Sequence, residues 1–288
     1  MIQIPLESVN LQLLNVGLAC LDGNWNWKDV SSPFTRIYYV RKGSATLHFA
    51  SKSVRLHPGR MYIIPAYTTH SYACDGPFEH YYLHVYEGVK NEMSMMEFYD
   101  FPTEVAATGD EERIFQRMCE QLPYAQLPES DPQSYDNASH LSRYIERYRD
   151  MPLWQKMELR GAILTLFSRF MREAVSRLRT TDERLQRVLK YILTNITQNI
   201  DIDELADMAF LTKSYFIRLF KQEVGTSPLQ YINNKKVERA QLLLYTTDMT
   251  VKEVAYALGF SDHSYFIRMY RKQTGITPQD YRERMRMV

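Results

Sequence analysis

Cysteine is scarce: Cys20, Cys74 and Cys119 are the only three in 288 residues, an odd number without metal-ligand spacing. This argues against a disulfide framework and a zinc site and fits a reducing, cytoplasmic compartment. Long apolar runs are missing as well. Leu11–Leu21 is interrupted by Gln12 and Asn15 and has no basic residue before it. It also falls far short of the ~20 residues that span a bilayer, so neither a signal peptide nor a membrane helix is expected. Net charge is nearly absent, with 35 Lys plus Arg against 34 Asp plus Glu, which excludes a chain that is basic throughout. No phosphate-cradling glycine loop occurs, nor Gly-x-Ser-x-Gly, nor His-x-His.

What is present suffices for two domains. Hydrophobic residues make up 45% and charged residues 24%, enough apolar surface for real cores. The charge is uneven along the chain. Residues 1–180 carry 19 basic and 21 acidic side chains, whereas 181–288 carry 16 and 13, so a nucleic-acid function belongs to the C-terminal third.

From Arg36 to Tyr86 the chain is rich in Tyr, Val, Ile and Thr and is punctuated by Gly43, Pro58, Gly59, Pro65, Gly76 and Pro77. Arg36–Val40, Ala45–Phe49, Met61–Ile64 and Glu79–Tyr86 read as short strands of an antiparallel barrel or sandwich. After Asp110 a helical period takes over, through Ile114, Met118 and Leu122. It resumes beyond the Pro- and Ser-rich loop Pro123–Ser134 in Leu141, Tyr144, Ile145 and Tyr148, and again across Trp154–Leu178. These helices either cover the β-domain or pair with a second copy.

The C-terminal part contains an internal repeat. Ser214-Tyr215-Phe216-Ile217-Arg218 recurs as Ser264-Tyr265-Phe266-Ile267-Arg268, and Gly225, Pro228 and Tyr231 recur as Gly275, Pro278 and Tyr281. Asp201 with Glu204, and Thr250 with Glu253, have the spacing of helix-starting capping boxes. A tight turn follows each short helix, with Gly259 in the second copy and no glycine in the first. Thr212, and Ser261 or Asp262, then cap a second helix, whose buried stripe is Phe216, Leu219 and Phe220 or Phe266, Met269 and Tyr270. Ser214, Ile217, Arg218 and Lys221 face outward, as do Ser264, Ile267, Arg268 and Arg271. Ser227-Pro228 and Thr277-Pro278 start further helices. Ile232–Leu244 reads as a connecting helix of roughly 20 Å. Two units, about 201–224 and 250–274, present the same polar, arginine-bearing face, which is the geometry of a tandem helix-turn-helix reader of the major groove. Packing alone requires only the buried face to repeat.

Over Asp182–Met287, and notably in Ala255-Tyr256-Ala257-Leu258-Gly259-Phe260-Ser261-Asp262, the chain resembles the AraC/XylS-type bacterial transcription regulators. It departs in Lys236, where the family usually carries Arg, and in Tyr270-Arg271, where Phe-Lys is commoner. The resemblance implies base-edge contacts from Ser214, Ile217, Arg218, His263, Ser264, Ile267 and Arg268. Thr212, Lys213, Lys221, Arg271 and Lys272 look like phosphate contacts.

More loosely, Tyr39-Val40, Gly43, Leu56, Pro58-Gly59, Ile63-Ile64-Pro65 and His70 resemble the family's ligand-binding cupin-like barrel. Effector contacts carried over are Lys28, Tyr72, Tyr82 and His84, with His70 at a motif position. His80, Tyr82 and His84 share one strand face, and Trp25 and Trp27 offer stacking surface, which suits a sugar effector. The same Tyr and His residues serve equally as barrel filling.

The expected fold is α+β multidomain. A cupin-like antiparallel β-barrel occupies 1–100, a helical linker or dimerisation segment 101–180, and an all-α tandem helix-turn-helix domain 181–288. The expected partners are double-stranded promoter DNA, a carbohydrate effector, RNA polymerase and a second copy of the chain. No cofactor, catalytic residue or metal is expected. One rival is a DNA-binding regulator whose N-terminal domain only dimerises or binds a protein. A cupin enzyme is the remote rival, disfavoured because His48, His57, His70, His80 and His84 are scattered.

Overall fold

The computed structural model describes residues 6, 9–23, 25–87, 95–136, 138–176 and 182–286. The first elements in chain order are β1 (Leu11–Asp22), β2 (Thr35–Gly43), β3 (Ala45–Phe49), β4 (Ser53–Leu56), β5 (Arg60–Ile64), β6 (His70–Ala73) and β7 (Pro77–Glu87). Then come α1 (Met95–Phe98), β8 (Tyr99–Asp100), β9 (Glu104–Ala106), α2 (Asp110–Gln121), α3 (Pro132–Tyr135), α4 (Ala138–Asp150), α5 (Leu153–Met171) and β10 (Val175–Ser176). The C-terminal helices are α6 (Glu183–Thr194), α7 (Ile202–Met208), α8 (Lys213–Val224), α9 (Pro228–Thr246), α10 (Val251–Ala257), α11 (His263–Thr274) and α12 (Pro278–Arg286).

The chain divides into two compact units. One comprises Asn10–Gly88 with Asp100–Val175, so the helices α2 to α5 fold together with the β-domain. The other comprises Ser176–Met287 with the segments Met1–Val9 and Val89–Tyr99.

In the first unit, an antiparallel sheet of order β1-β7-β2-β5-β9 faces a three-stranded sheet of order β4-β3-β6. Alternation along the strands sends Tyr38, Val40, Tyr62, Ile64, Phe78 and Tyr82 of the larger sheet inward. There they meet Ala45, Leu47, Leu56 and Tyr72 of the smaller one. Each such large side chain contributes about 1.5–3 kcal/mol on full burial. The strands expected from composition are present, Ala45–Phe49 with the same bounds and the other three somewhat longer. Six more, β1, β4, β6 and the short β8, β9 and β10, are not evident in the sequence. β1 is the apolar stretch from Leu11 onward, buried on both faces from Leu13 to Gly17, so its sequence has no clean two-residue alternation there. The loop expected at Pro123–Ser134 contains a 3-10 turn at Pro123–Ala125 and the start of α3. The helical series expected over Trp154–Leu178 ends at Met171; Val175 lies in a strand and Leu178 is outside the described residues.

The second unit holds two hydrophobic clusters. Leu185, Val188, Leu189, Ile192, Leu205, Ala206, Phe216, Phe220 and Ile232 form one. Val237, Ala240, Leu244, Val254, Ala255, Leu258, Phe266, Met269 and Tyr270 belong to the other. Phe98, remote in sequence, is buried here beside Leu193. The connecting helix corrects the sequence reading. Ser227-Pro228 and Ile232–Leu244 belong to one helix, the nineteen-residue α9, because the Ser227 hydroxyl accepts from Gln230 N–H and Pro228 occupies the first turn.

Candidate DNA interface and effector cavity

Each helix-turn-helix unit starts from its cap. Thr250 and Glu253 form the full reciprocal box: Thr250 N–H donates to the Glu253 carboxylate at 2.6 Å and Glu253 N–H to the Thr250 hydroxyl at 3.2 Å. Asp201 accepts from Asp203 N–H at 2.7 Å without the reciprocal bond, the weaker form that Asp at this position suggests. The turns then diverge. Gly259 holds φ +72°, whereas the first unit places Phe210 at φ +56°, with 82% of its surface exposed. Asp262, not Ser261, caps α11 by accepting from Ser264 N–H at 2.8 Å. Thr212 stands at the corresponding position of α8 without a side-chain bond. Gly225 and Gly275 end the two reading helices in left-handed conformations.

Of the side chains expected to read DNA, Ser214, Arg218, Ser264 and Arg268 are exposed, as are Thr212, Lys213, Lys221, Arg271 and Lys272. Ile217 and Ile267 correct the reading, since both are half-buried and pack onto the cores beneath them. Their place on the flank of the helix leaves only an edge outward. Leu219 and His263 are half-buried as well. Arg218 lies over the Tyr215 ring, 5.1 Å from its centroid, and Arg268 is 3.9 Å from Asp262. Lys213 pairs with Asp203 at 2.9 Å, and that carboxylate raises its pKa. Tyr215 and Tyr265 were missed by sequence reasoning. Both are about two-fifths exposed at matching positions of the two helices, and their repetition outside the buried stripe was the available signal.

In the β-domain, a cavity of about 230 Å³ is lined by Trp25, Tyr38, His80, Tyr82 and Tyr135, by Leu18–Leu21 of β1, and by the loop 126–130. Gly17 shapes its wall. A Cβ there would stand 2.3 Å from the Tyr82 hydroxyl oxygen, so only glycine lets the phenol lie across β1. The hydroxyl accepts from Leu127 N–H at 2.7 Å, and burial pushes its pKa up to about 12, so it retains a proton to donate. Burial also lowers His80 to about 3, which keeps the ring neutral, and its Nδ1 has no hydrogen-bond partner. Trp25 stacks on Tyr72 with centroids 3.9 Å apart.

Among the residues expected at the effector site, only Tyr82 lines this cavity. His70 and Tyr72 lie behind it in a chain running from His70 Nε2 to the Tyr72 hydroxyl at 2.7 Å and on to the Tyr38 hydroxyl at 2.8 Å. His84 is buried between Phe34 and Tyr135, and Lys28 is exposed. Trp25 was noted in the sequence for its stacking surface. His80 lines the cavity beside Tyr82, on the strand face that alternation assigns to both, whereas Tyr38 and Tyr135 have no such signal in the sequence. No group of three His, Cys, Asp or Glu that could hold a metal occurs among the described residues. No helix among them is long and apolar enough to cross a membrane.

Two family models match parts of the chain. The family model for an AraC-like ligand binding domain matches residues 23–141, and one for a helix-turn-helix domain matches 205–284. The probable transcriptional regulator LumQ of Photobacterium leiognathi is 37% identical over 27% of this chain and 33% of its own length. The lactose operon transcription activator of Staphylococcus xylosus is 21% identical over 78% of this chain and 75% of its own. The DNA-binding domain of AdpA, solved in complex with a target DNA, is 33% identical, with a TM-score of 0.35, and covers 36% of this chain and 94% of that one. With a ligand-binding model over its β-domain and a helix-turn-helix model over its repeat, the chain belongs to the AraC family of transcriptional regulators.

Proposed function

We propose that the chain is a sequence-specific regulator that binds double-stranded promoter DNA through 181–288 and a small sugar or sugar derivative in the β-domain cavity that strands of 1–100 form with Gln126–Ser130 and Tyr135. In this reading the helices of 101–180 support a homodimer, and the protein acts in the cytoplasm, beside RNA polymerase, without enzymatic activity. The observation that carries it is the duplicated exposed face: Ser214 and Arg218 on α8 are repeated by Ser264 and Arg268 on α11. An arginine fork suits guanine O6 and N7, and the lysines and arginines at 213, 221, 271 and 272 suit phosphates.

The cavity supports the effector half. Aromatic walls from Trp25, Tyr38 and Tyr82 pack on a sugar's C–H face, while the free nitrogen of His80 and the Tyr82 proton meet hydroxyls. His70 and Tyr72 back this wall through their chain of hydrogen bonds to the Tyr38 hydroxyl, and Lys28 and His84, which lie outside the cavity lining, drop out of the contact set. A sugar shifts DNA occupancy only if it binds one arrangement of the protein more tightly than another.

The test is binding of the purified chain to its own upstream DNA and to random duplex across a salt titration, with and without a panel of sugars. Selective binding that changes with one sugar supports the whole reading. Selectivity indifferent to every sugar removes the sugar effector, and absence of selectivity removes the regulator.

A further inference from the structure

We propose that Lys236 is the positioning residue that locks the two helix-turn-helix units at one separation and orientation, so that α8 and α11 engage DNA as a single rigid reader. The proposal rests on the DNA-reading function above.

The two units do not share a core. α9 contributes Ile232 to the first hydrophobic cluster and Val237, Ala240 and Leu244 to the second. Their mutual orientation therefore depends on what bridges them, and Lys236, midway along α9 and 4% exposed, does so directly. Its Nζ donates to the Gln198 carbonyl at 2.7 Å, just ahead of α7, and to the Leu258 carbonyl at 2.6 Å, at the end of α10. Leu258 O belongs to the last turn of its helix, where carbonyls lack intrahelical donors and the helix dipole favours a cation. The ammonium also lies 4.8 Å from the Phe260 ring centroid.

Gly259 gives the second, independent observation. A Cβ there would lie 2.4 Å from the Gln198 carbonyl carbon and 2.7 Å from the Asn199 nitrogen, so the backbones of the two units touch beside the lysine. The equivalent turn in the first unit tolerates Phe210. A left-handed turn alone does not demand glycine here; the close approach does. Among the described residues no carboxylate holds this buried cation, so burial costs it much of what the two carbonyls and the Phe260 ring return, and what it confers is one fixed geometry.

The experiment uses the full chain. A duplex is selected from a random library by the wild-type protein, and affinity is measured on it and on a copy with one base pair added between the two contacted segments. The wild type should lose about tenfold or more on the lengthened duplex, because a rigid pair cannot engage both segments at once. Lys236→Met, similar in length but without donors, should bind the selected duplex more weakly and show a ratio between the two duplexes close to one. Lys236→Arg should restore the wild-type ratio. Gly259→Ala wedges the same junction without altering the lysine and should also change the ratio, which covers the case that Lys236→Met does not fold. A wild-type ratio in Lys236→Met, or in Gly259→Ala where Lys236→Met does not fold, would overturn the clasp. A wild-type chain that enriches no duplex would instead overturn the DNA-reading function itself.

Discussion

Arg36 on β2 and Asp136, just before α4, form an ion pair at 3.0 Å inside the β-domain, with the arginine side chain 1% exposed. Ser32 joins them, its hydroxyl accepting from Arg36 Nη2 at 2.6 Å and donating to the Asp136 carboxylate. The guanidinium has burial against it, and Asp136 is the carboxylate that compensates its charge. Asp136→Ala should therefore destabilise the domain by about 3–5 kcal/mol in urea unfolding, since it leaves a buried charge unpaired. An effect below 1 kcal/mol would show that water reaches Arg36 and takes over the carboxylate's role.

The close approach of Gly17 to Tyr82 predicts strong coupling between the two positions. Gly17→Ala should lower stability by about 1–3 kcal/mol through overpacking. Its effect should shrink in a Tyr82→Ala background, where the clashing ring is gone. Equal effects in both backgrounds would mean that the phenol does not lie across β1.

Three buried histidines make the stability of the β-domain depend on pH. Burial lowers His70 to about 4 and His80 to about 3, and it lowers His84 well below its ordinary value, with the charge of Arg36 adding to the effect on His70 and His84. Above the unfolded pKa of about 6.5, native and unfolded forms are both neutral at these sites and nothing changes. Below it the unfolded chain takes up protons that the native chain refuses, so stability falls as pH drops, down to about pH 4 for His70. Each histidine contributes a slope approaching about 1.4 kcal/mol per pH unit. Denaturant unfolding between pH 7.5 and 5 should show the fall, and His70→Gln should make it shallower. An unchanged slope in that variant would mean that His70 titrates normally in the fold.

On DNA, Arg268 and Lys221 should separate base reading from backbone contact. Arg268→Ala should cost about 1–3 kcal/mol on the specific duplex and relax preference at one base pair. Lys221→Ala should weaken all duplexes about equally and flatten the salt dependence. Equal losses on specific and random DNA for Arg268→Ala would withdraw its reading role.

Phe210 offers a stabilising substitution. It is held at φ +56° with its side chain in solvent, so the left-handed strain has no packing in return. Phe210→Gly should raise stability by about 0.5–1 kcal/mol, the relieved strain less the added backbone entropy of glycine. A lower melting temperature would show that the ring makes contacts beyond those described.

The sequence by itself determined the two helix-turn-helix elements of the C-terminal unit. Caps, glycine helix ends, the Ser-Pro helix start and the apolar stripes are local signals, and each acts within a turn or two of the chain, so α7, α8, α10 and α11 were legible from residue order. Repetition of one exposed face pointed to its use on DNA. The β-domain was legible only as strand chemistry. β1 is buried on both sides from Leu13 to Gly17 and shows no alternation there, and His80 joins Tyr38 and Tyr135 in a cavity wall only through strand pairing and the packing of α3, far on in the chain. Tertiary structure alone decided the Arg36–Asp136 pair, the space that Gly17 leaves for Tyr82, and the bridge from Lys236 to Gln198 and Leu258. Each depends on the packing of segments distant in sequence, where neither propensity nor periodicity carries information.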